Sequence, residues 1–194
     1  MFDIRDIAEK REIMQIALPD AQKVLRSGME YFIGPHFQWL PSYEKVARWL
    51  ADNQKRGLML SGGNGVGKTV FCTKVLPLIF RYYLHIEDVT IIDAKYLGDY
   101  YKNPSDYYKI VYDKNPIIID DVGVEDIAND YGERRDIFSE IVDDAEKRAR
   151  LIVFTTNLYA DDIKTRYGMR TLDRLYSIVR SICIEGQSMR LKTI

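Results

Sequence analysis

From Gly57 onward the chain alternates short apolar runs with longer stretches in which apolar residues return every three or four positions. The runs at 57–61, 88–92, 116–120, 151–155 and 181–185 read as strands, and the stretches at about 67–84, 94–101, 104–113, 132–148, 160–166 and 168–178 read as helices. Pro77 is expected to kink or end the first of these helices early, because it lacks an N–H and crowds the preceding turn. Strand and helix in alternation predict a parallel sheet covered by helices on both faces. Upstream, residues 4–14 and 20–33 carry spaced apolar positions (Ile4, Ile7, Ile13; then Ala21, Val24, Leu25, Phe32) on either side of Pro19-Asp20 and predict two short helices. After Gly34-Pro35 a third is predicted over YEKVARWLADN, with Ser42 as N-cap and Val46, Trp49 and Leu50 on one face. It is expected to pack beside the glycine-rich turn at 62–67, as an ordinary core-facing helix, since nothing polar on it demands chemistry.

With 194 residues the chain is long enough for one domain with a real core and no need of disulfides or structural metal. Its 28 basic and 29 acidic residues leave a net charge of −1, so the field of the whole molecule does not draw it to nucleic acid or an anionic membrane; any such contact must be a local patch. Cys72 and Cys183 belong to no C-x-x-C spacing and are expected to be reduced and packed. The opening MFDIRDIAEKRE has no apolar signal core, and no apolar run approaches the ~20 residues of a membrane span. The expected location is therefore cytoplasmic, with no membrane partner. His36 and His85 lack ligand spacing, and no transition metal is expected.

Chemistry enters where the first strand ends. Residues 62–69 read GGNGVGKT, a full match to G-x-x-x-x-G-K-[ST] between a strand and a helix. Gly62, Gly63, Asn64, Gly65, Val66 and Gly67 would turn N–H groups toward phosphate oxygens, and the helix opening through Val70 adds partial positive charge. Lys68 would hold the β and γ phosphates of ATP, and Thr69 would place its hydroxyl on Mg2+.

Pro116-Ile117-Ile118-Ile119-Asp120-Asp121 is an apolar strand ending in two carboxylates, costly unless the charges emerge at the sheet's edge to meet a cation. It has the form of a Walker B motif, in which Asp120 would hold the Mg2+ shell and Asp121 would orient or deprotonate the attacking water. By itself the pair also reads as a turn signal before Val122-Gly123. Thr155, Thr156 and Asn157 end a later strand at the carboxyl edge, where open α/β sheets bind ligands; Asn157 reads as a polar sensor of water and γ-phosphate, with a plain strand end as its rival. In RYGMRTLDRLYS, Arg166, Arg170 and Arg174 offer cations to the γ-phosphate, with Arg170 and Arg174 one turn apart on one face. A solvated face paired with Asp162 or Asp173 is the rival reading for each.

The ordered set GGNGVGKT, IIIDDVGVE, IVFTTNL, YGMRTLDRL and SICIEGQSMR resembles the AAA+ ATPases of the DnaC/IstB group, helicase loaders and transposition helpers, over about residues 36–190. The resemblance implies an α/β, three-layer αβα P-loop NTPase with a parallel five-stranded sheet in the order 5-1-4-3-2 and no C-terminal lid domain. Residues 1–35 would form a short helical extension and 36–194 the ATPase domain. It implies Lys68 and Thr69 in Walker A, Asp120 and Asp121 in Walker B, Asn157 as sensor 1, and Arg174, beside Arg170, as the finger that completes a neighbouring subunit's site. Members of the group self-associate into rings or spirals, so an isolated monomer is expected to hydrolyse ATP weakly.

The same resemblance places a channel-facing stretch at Ala94 to Asn103. There Lys95, Tyr100, Tyr101 and Lys102 would touch single-stranded DNA, rings stacking on bases beside cations on the backbone. The chain departs from the group in having only about 35 residues before the match, and in carrying Ala145-Glu146 where relatives often have Arg-Tyr. The implied function is an ATP-driven switch that assembles on single-stranded DNA with a replicative helicase. An IstB-like helper with a transposase as partner, a P-loop nucleotide kinase and a scaffold that only binds ATP are the alternatives.

Overall fold

In the computed structural model, residues 11–125, 128–130 and 133–190 are described, with side chains outside 126–135. The elements in chain order are α1 (Ala21–Ile33), α2 (Pro41–Ala51), β1 (Gly57–Gly62), α3 (Lys68–Val70), a π turn (Phe71–Val75), α4 (Leu76–Tyr83), β2 (Thr90–Asp93), α5 (Leu97–Tyr101) and α6 (Pro104–Tyr112). They continue with β3 (Ile117–Val122), β4 (Ala128–Asp130), β5 (Glu133–Arg135), α7 (Ile137–Arg148), β6 (Ile152–Thr156), α8 (Ala160–Tyr167), α9 (Met169–Ile178) and β7 (Val179–Ile184).

Burial along the strands explains their order. β1 and β6 are buried at every residue, and Ile117, Ile118 and Ile119 of β3 are all fully buried. Each such isoleucine contributes roughly 1.5–3 kcal/mol, which favours central positions with helices on both faces. β2 and β7 mix buried and accessible residues, as edge strands do. The sheet runs β2-β3-β6-β1-β7 with every pair parallel. Counting only these five, the order is 5-1-4-3-2 from the β7 edge, as the sequence resemblance implied. The loops after β1, β3 and β6 therefore open side by side at the carboxyl ends of three adjacent strands, where α/β sheets bind ligands.

Four local expectations are corrected. Residues 11–18 are not helical, and 4–10 lie outside the described residues. The buried Asn53 draws this segment into extended contact: its Oδ1 accepts from Ile16 N–H at 2.8 Å and its Nδ2 donates to Met14 O at 2.9 Å. These bonds replace those a helix would have supplied. Ser42 does not cap α2, which begins at Pro41 with Leu40 as N-cap, and its hydroxyl is buried. Pro77 does not break its helix, because the π turn widens the backbone just before it and the helix continues to Tyr83. The helix expected over 132–148 starts at Ile137, where Asp136 caps it by accepting from Ser139 N–H at 3.3 Å, and an antiparallel hairpin, β4 with β5, precedes it.

Behind the sheet, Arg150 is 2% exposed and donates to Asn115 O at 2.7 Å and Ile110 O at 2.5 Å. It closes the C-terminus of α6 onto the entry of β3, and burial pulls its pKa down to about 10. Cys72 is buried while Cys183 is half-buried, and both are free thiols. No helix among the described residues is long and apolar enough to cross a membrane.

Candidate functional site

The loop between β1 and α3 turns on glycines with positive φ: Gly65 at 78° and Gly67 at 88°. A side chain is strained in either conformation, and a Cβ on Gly65 would stand 2.1 Å from Ser188 Oγ. Lys68 follows, 7% exposed, with its ammonium turned back onto the loop. It donates to Gly62 O at 2.6 Å, Gly63 O at 2.9 Å and Asn157 Oδ1 at 2.8 Å. All three donors are used. Burial pulls its pKa below the usual lysine value, opposed by the nearby Asp121 and Asp120.

At the end of β3 the pairing register to β6 shifts between Ile119 and Val122, and Asp121 takes a left-handed conformation with φ 59°. The irregularity separates the two carboxylates. Thr155 of β6 donates its hydroxyl to Asp120 Oδ1 at 2.6 Å and accepts Asp121 N–H at 2.8 Å, so one side chain fixes both. Asn157 Nδ2 donates to Asp121 Oδ1 at 3.3 Å. Lys68, Asn157 and Asp121 thus form a continuous polar chain joining the ends of β1, β6 and β3.

These groups line a cavity of about 240 Å³ together with Thr69, whose side chain is exposed at its mouth. The opposite wall is apolar: Phe32 and Ile33 from the end of α1, and Met189 from the segment after β7. Met189 N–H donates to Gly65 O at 2.9 Å, and its sulfur accepts Gln38 N–H at 3.4 Å, so this segment lies across the loop. Arg190 completes the lining with an exposed cation. The lining fits a nucleoside triphosphate: loop backbone and Lys68 for phosphates, Thr69 for a hard cation, with Asp120 tied to Thr155 of that lining, and an apolar slot for a base. A second cavity, about 320 Å³ and lined in part by Asp88, Asp106, Lys109 and Asp113, lies along the free edge of β2 and shares no residue with the loop.

The arginines divide. Arg166 turns inward to the buried Glu125, donating to its carbonyl oxygen, while Tyr167 donates its hydroxyl to the Glu125 carboxylate. Arg174, 15% exposed, pairs with Asp143 and, at 2.9 Å, with Glu146, both on α7. Those carboxylates replace the Asp162 or Asp173 partners of the rival reading. Arg170 is 74% exposed and reaches Asp143 at 3.5 Å. In the stretch read as a DNA surface, Tyr100 and Tyr101 are half-buried against the core, whereas Tyr96 is exposed, as is Tyr108 on the following helix α6. Lys95 pairs with Asp93 at 2.9 Å and Lys102 with Asp99 at 2.7 Å.

The structure gathers Lys68, Thr69, Asp121 and Asn157 on one cavity, with Asp120 close behind through Thr155. The sequence assigns Thr155 a place at the carboxyl edge but no role; Phe32, Ile33, Met189 and Arg190 join the lining unforeseen. The segment GQSMR carried the signal for the last two. Nothing in sequence marks Phe32 or Ile33 apart from other apolar positions on α1.

A parallel sheet in this order, with a glycine loop and lysine after its first strand and paired carboxylates after its third, is the AAA+ P-loop NTPase fold. A solved helicase loader shares this fold. The DnaC helicase loader aligns over 87% of this chain and 93% of its own with a TM-score of 0.56 at 19% identity. DnaI aligns over 89% and 86% with a TM-score of 0.54 at 17% identity. AMPPCP-bound DnaA from Aquifex aeolicus aligns over 78% of this chain and 51% of that one, with a TM-score of 0.51 at 14% identity. At such identities the likeness is one of fold. No protein-family model and no curated protein matches the sequence.

Proposed function

We propose that the chain binds and hydrolyses ATP with Mg2+, and uses the cycle as a switch that assembles on single-stranded DNA with a replicative helicase. The observation that carries the chemical half is the polar chain Lys68–Asn157–Asp121 at the ends of three adjacent strands. Mg2+, held by Thr69 and Asp120, would neutralise charge on the phosphate oxygens. Lys68 would exchange Asn157 for a γ-phosphate oxygen, since a charged acceptor makes the stronger bond. Asn157 is then left to Asp121, and the two would orient the attacking water between carboxylate and amide. Arg174 or Arg170 of a neighbouring copy would add the missing cation at the γ-phosphate. The DNA contact is assigned to the surface carrying Lys95, Tyr100, Tyr101 and Lys102, with the exposed rings of Tyr96 and Tyr108 as its stacking faces.

The helicase half rests on the likeness of fold to a helicase loader across nearly the whole chain. The test is phosphate release from ATP by the purified protein, alone and with single-stranded DNA and helicase. Lys68→Ala is expected to abolish ATP binding. Binding unaffected by that change sinks the phosphate-site assignment; turnover and assembly indifferent to DNA and to helicase sink the loader reading, and stimulation by a transposase instead turns it to the transposition alternative.

A further inference from the structure

Helix α2 packs beside the glycine loop, and one of its side chains enters that loop. Tyr43, 1% exposed, donates its hydroxyl hydrogen to Val66 O at 2.5 Å. The same hydroxyl lies 2.4 Å from where a Cβ on Gly67 would stand, so any side chain at 67 would collide with the phenol. Val66 O and Gly67 N–H belong to one rigid, trans peptide plane and point in opposite directions. Fixing the carbonyl toward the core therefore fixes the amide toward the cavity, which Gly67 lines.

We propose that Tyr43 is a positioning residue for the phosphate loop: its hydroxyl holds the Val66 carbonyl inward and so aims the Gly67 N–H at the phosphates of a bound nucleotide. The inference rests on the nucleotide reading above and extends it to the N-terminal helices. The ring is itself held firmly. Its centroid lies 5.9 Å from that of Phe37 and 5.5 Å from that of Trp39. Trp39 in turn donates to Glu44 Oε1 at 2.8 Å and lies under the guanidinium of Arg26 from α1 at 4.7 Å. Burial pushes the phenol's pKa well up, so it stays a donor across the physiological range. The loop is thus set by a side chain outside its own motif.

Tyr43→Phe keeps the ring and removes only the donor. Equilibrium binding of ATP and of ADP is then compared in the wild type, in Tyr43→Phe and in Trp39→Phe, which loses the Glu44 bond in the same aromatic cluster but touches no loop atom. The expected result is a rise of about tenfold in Kd for both nucleotides in Tyr43→Phe, with turnover at saturating ATP changed less than about twofold, because the lost contact serves substrate and transition state alike. Trp39→Phe should keep wild-type affinity. Unchanged affinity in Tyr43→Phe, or an equal rise in both variants, overturns the inference while leaving the nucleotide site standing. A wild-type chain that binds neither nucleotide overturns both.

Discussion

The Lys68 ammonium lies 2.8 Å from Asn157 Oδ1, a contact between residues 89 apart in sequence that ties the loop after β1 to the end of β6. Asn157→Ala is expected to leave ATP affinity within about threefold and to lower hydrolysis by on the order of a hundredfold, the scale of losing one positioned polar group. Asn157→Asp would set a third carboxylate against the γ-phosphate and weaken ATP binding as well. Filter binding and single-turnover phosphate release distinguish the two; wild-type turnover in Asn157→Ala would remove the amide from the reaction.

Asp121 sits at φ 59°, a conformation that asparagine adopts as readily as aspartate and β-branched residues resist. Asp121→Asn should therefore melt within about 0.5 kcal/mol of the wild type while losing hydrolysis, whereas Asp121→Val should lose hydrolysis and about 1–3 kcal/mol of stability besides. Thermal melts of the two side by side check this. Equal melts would mean that the backbone relaxes at no cost.

Arg174 enters any neighbour's site only by leaving Asp143 and Glu146. Arg174 is mostly buried between those carboxylates, so the exchange needs a partner as strong as the paired oxygens of a phosphate. Arg174→Ala should lower stability by about 1–3 kcal/mol, because it leaves two partly buried carboxylates without their cation, and reduce hydrolysis by the assembled protein while sparing ATP binding. Mixing it with Asp121→Asn subunits should restore part of the activity. Failure of the mixture to recover, with Arg170→Ala reproducing the whole defect, would move the role to the more exposed Arg170.

Arg150 is far from these groups in role. Arg150→Ala strands the carbonyls of Asn115 and Ile110 in the interior and should cost about 3 kcal/mol by urea denaturation. ATP affinity measured below the transition should match the wild type. A parallel loss of affinity would tie α6 to the nucleotide site.

The sheet and the polar half of the site were legible because they obey local rules: apolar runs for buried strands, glycine spacing for the loop, carboxylates closing an apolar strand. What escaped depends on partners distant in sequence. Ile13 reads as helical until Asn53 supplies bonds to the neighbouring Met14 and Ile16 from another part of the chain. Tyr43 reads as a helix residue until the fold brings Val66 beneath it. The π turn that lets Pro77 stay in its helix leaves no periodicity to read, and Phe32, Ile33 and Met189 form a slot only once α1 and the segment after β7 meet. The arginines were visible as cations, but their choice between Glu125, Asp143 and Glu146 is a matter of tertiary geometry.

Met189 closes on both Gly65 and Gln38, and its contact with Gln38 spans 151 residues. During synthesis the glycine loop emerges from the ribosome long before the residues that wall it in. A chain ending before Met189 would leave the loop without this wall. If the slot takes a nucleotide as proposed, stabilisation by that ligand would reach the chain only once this late segment is in place.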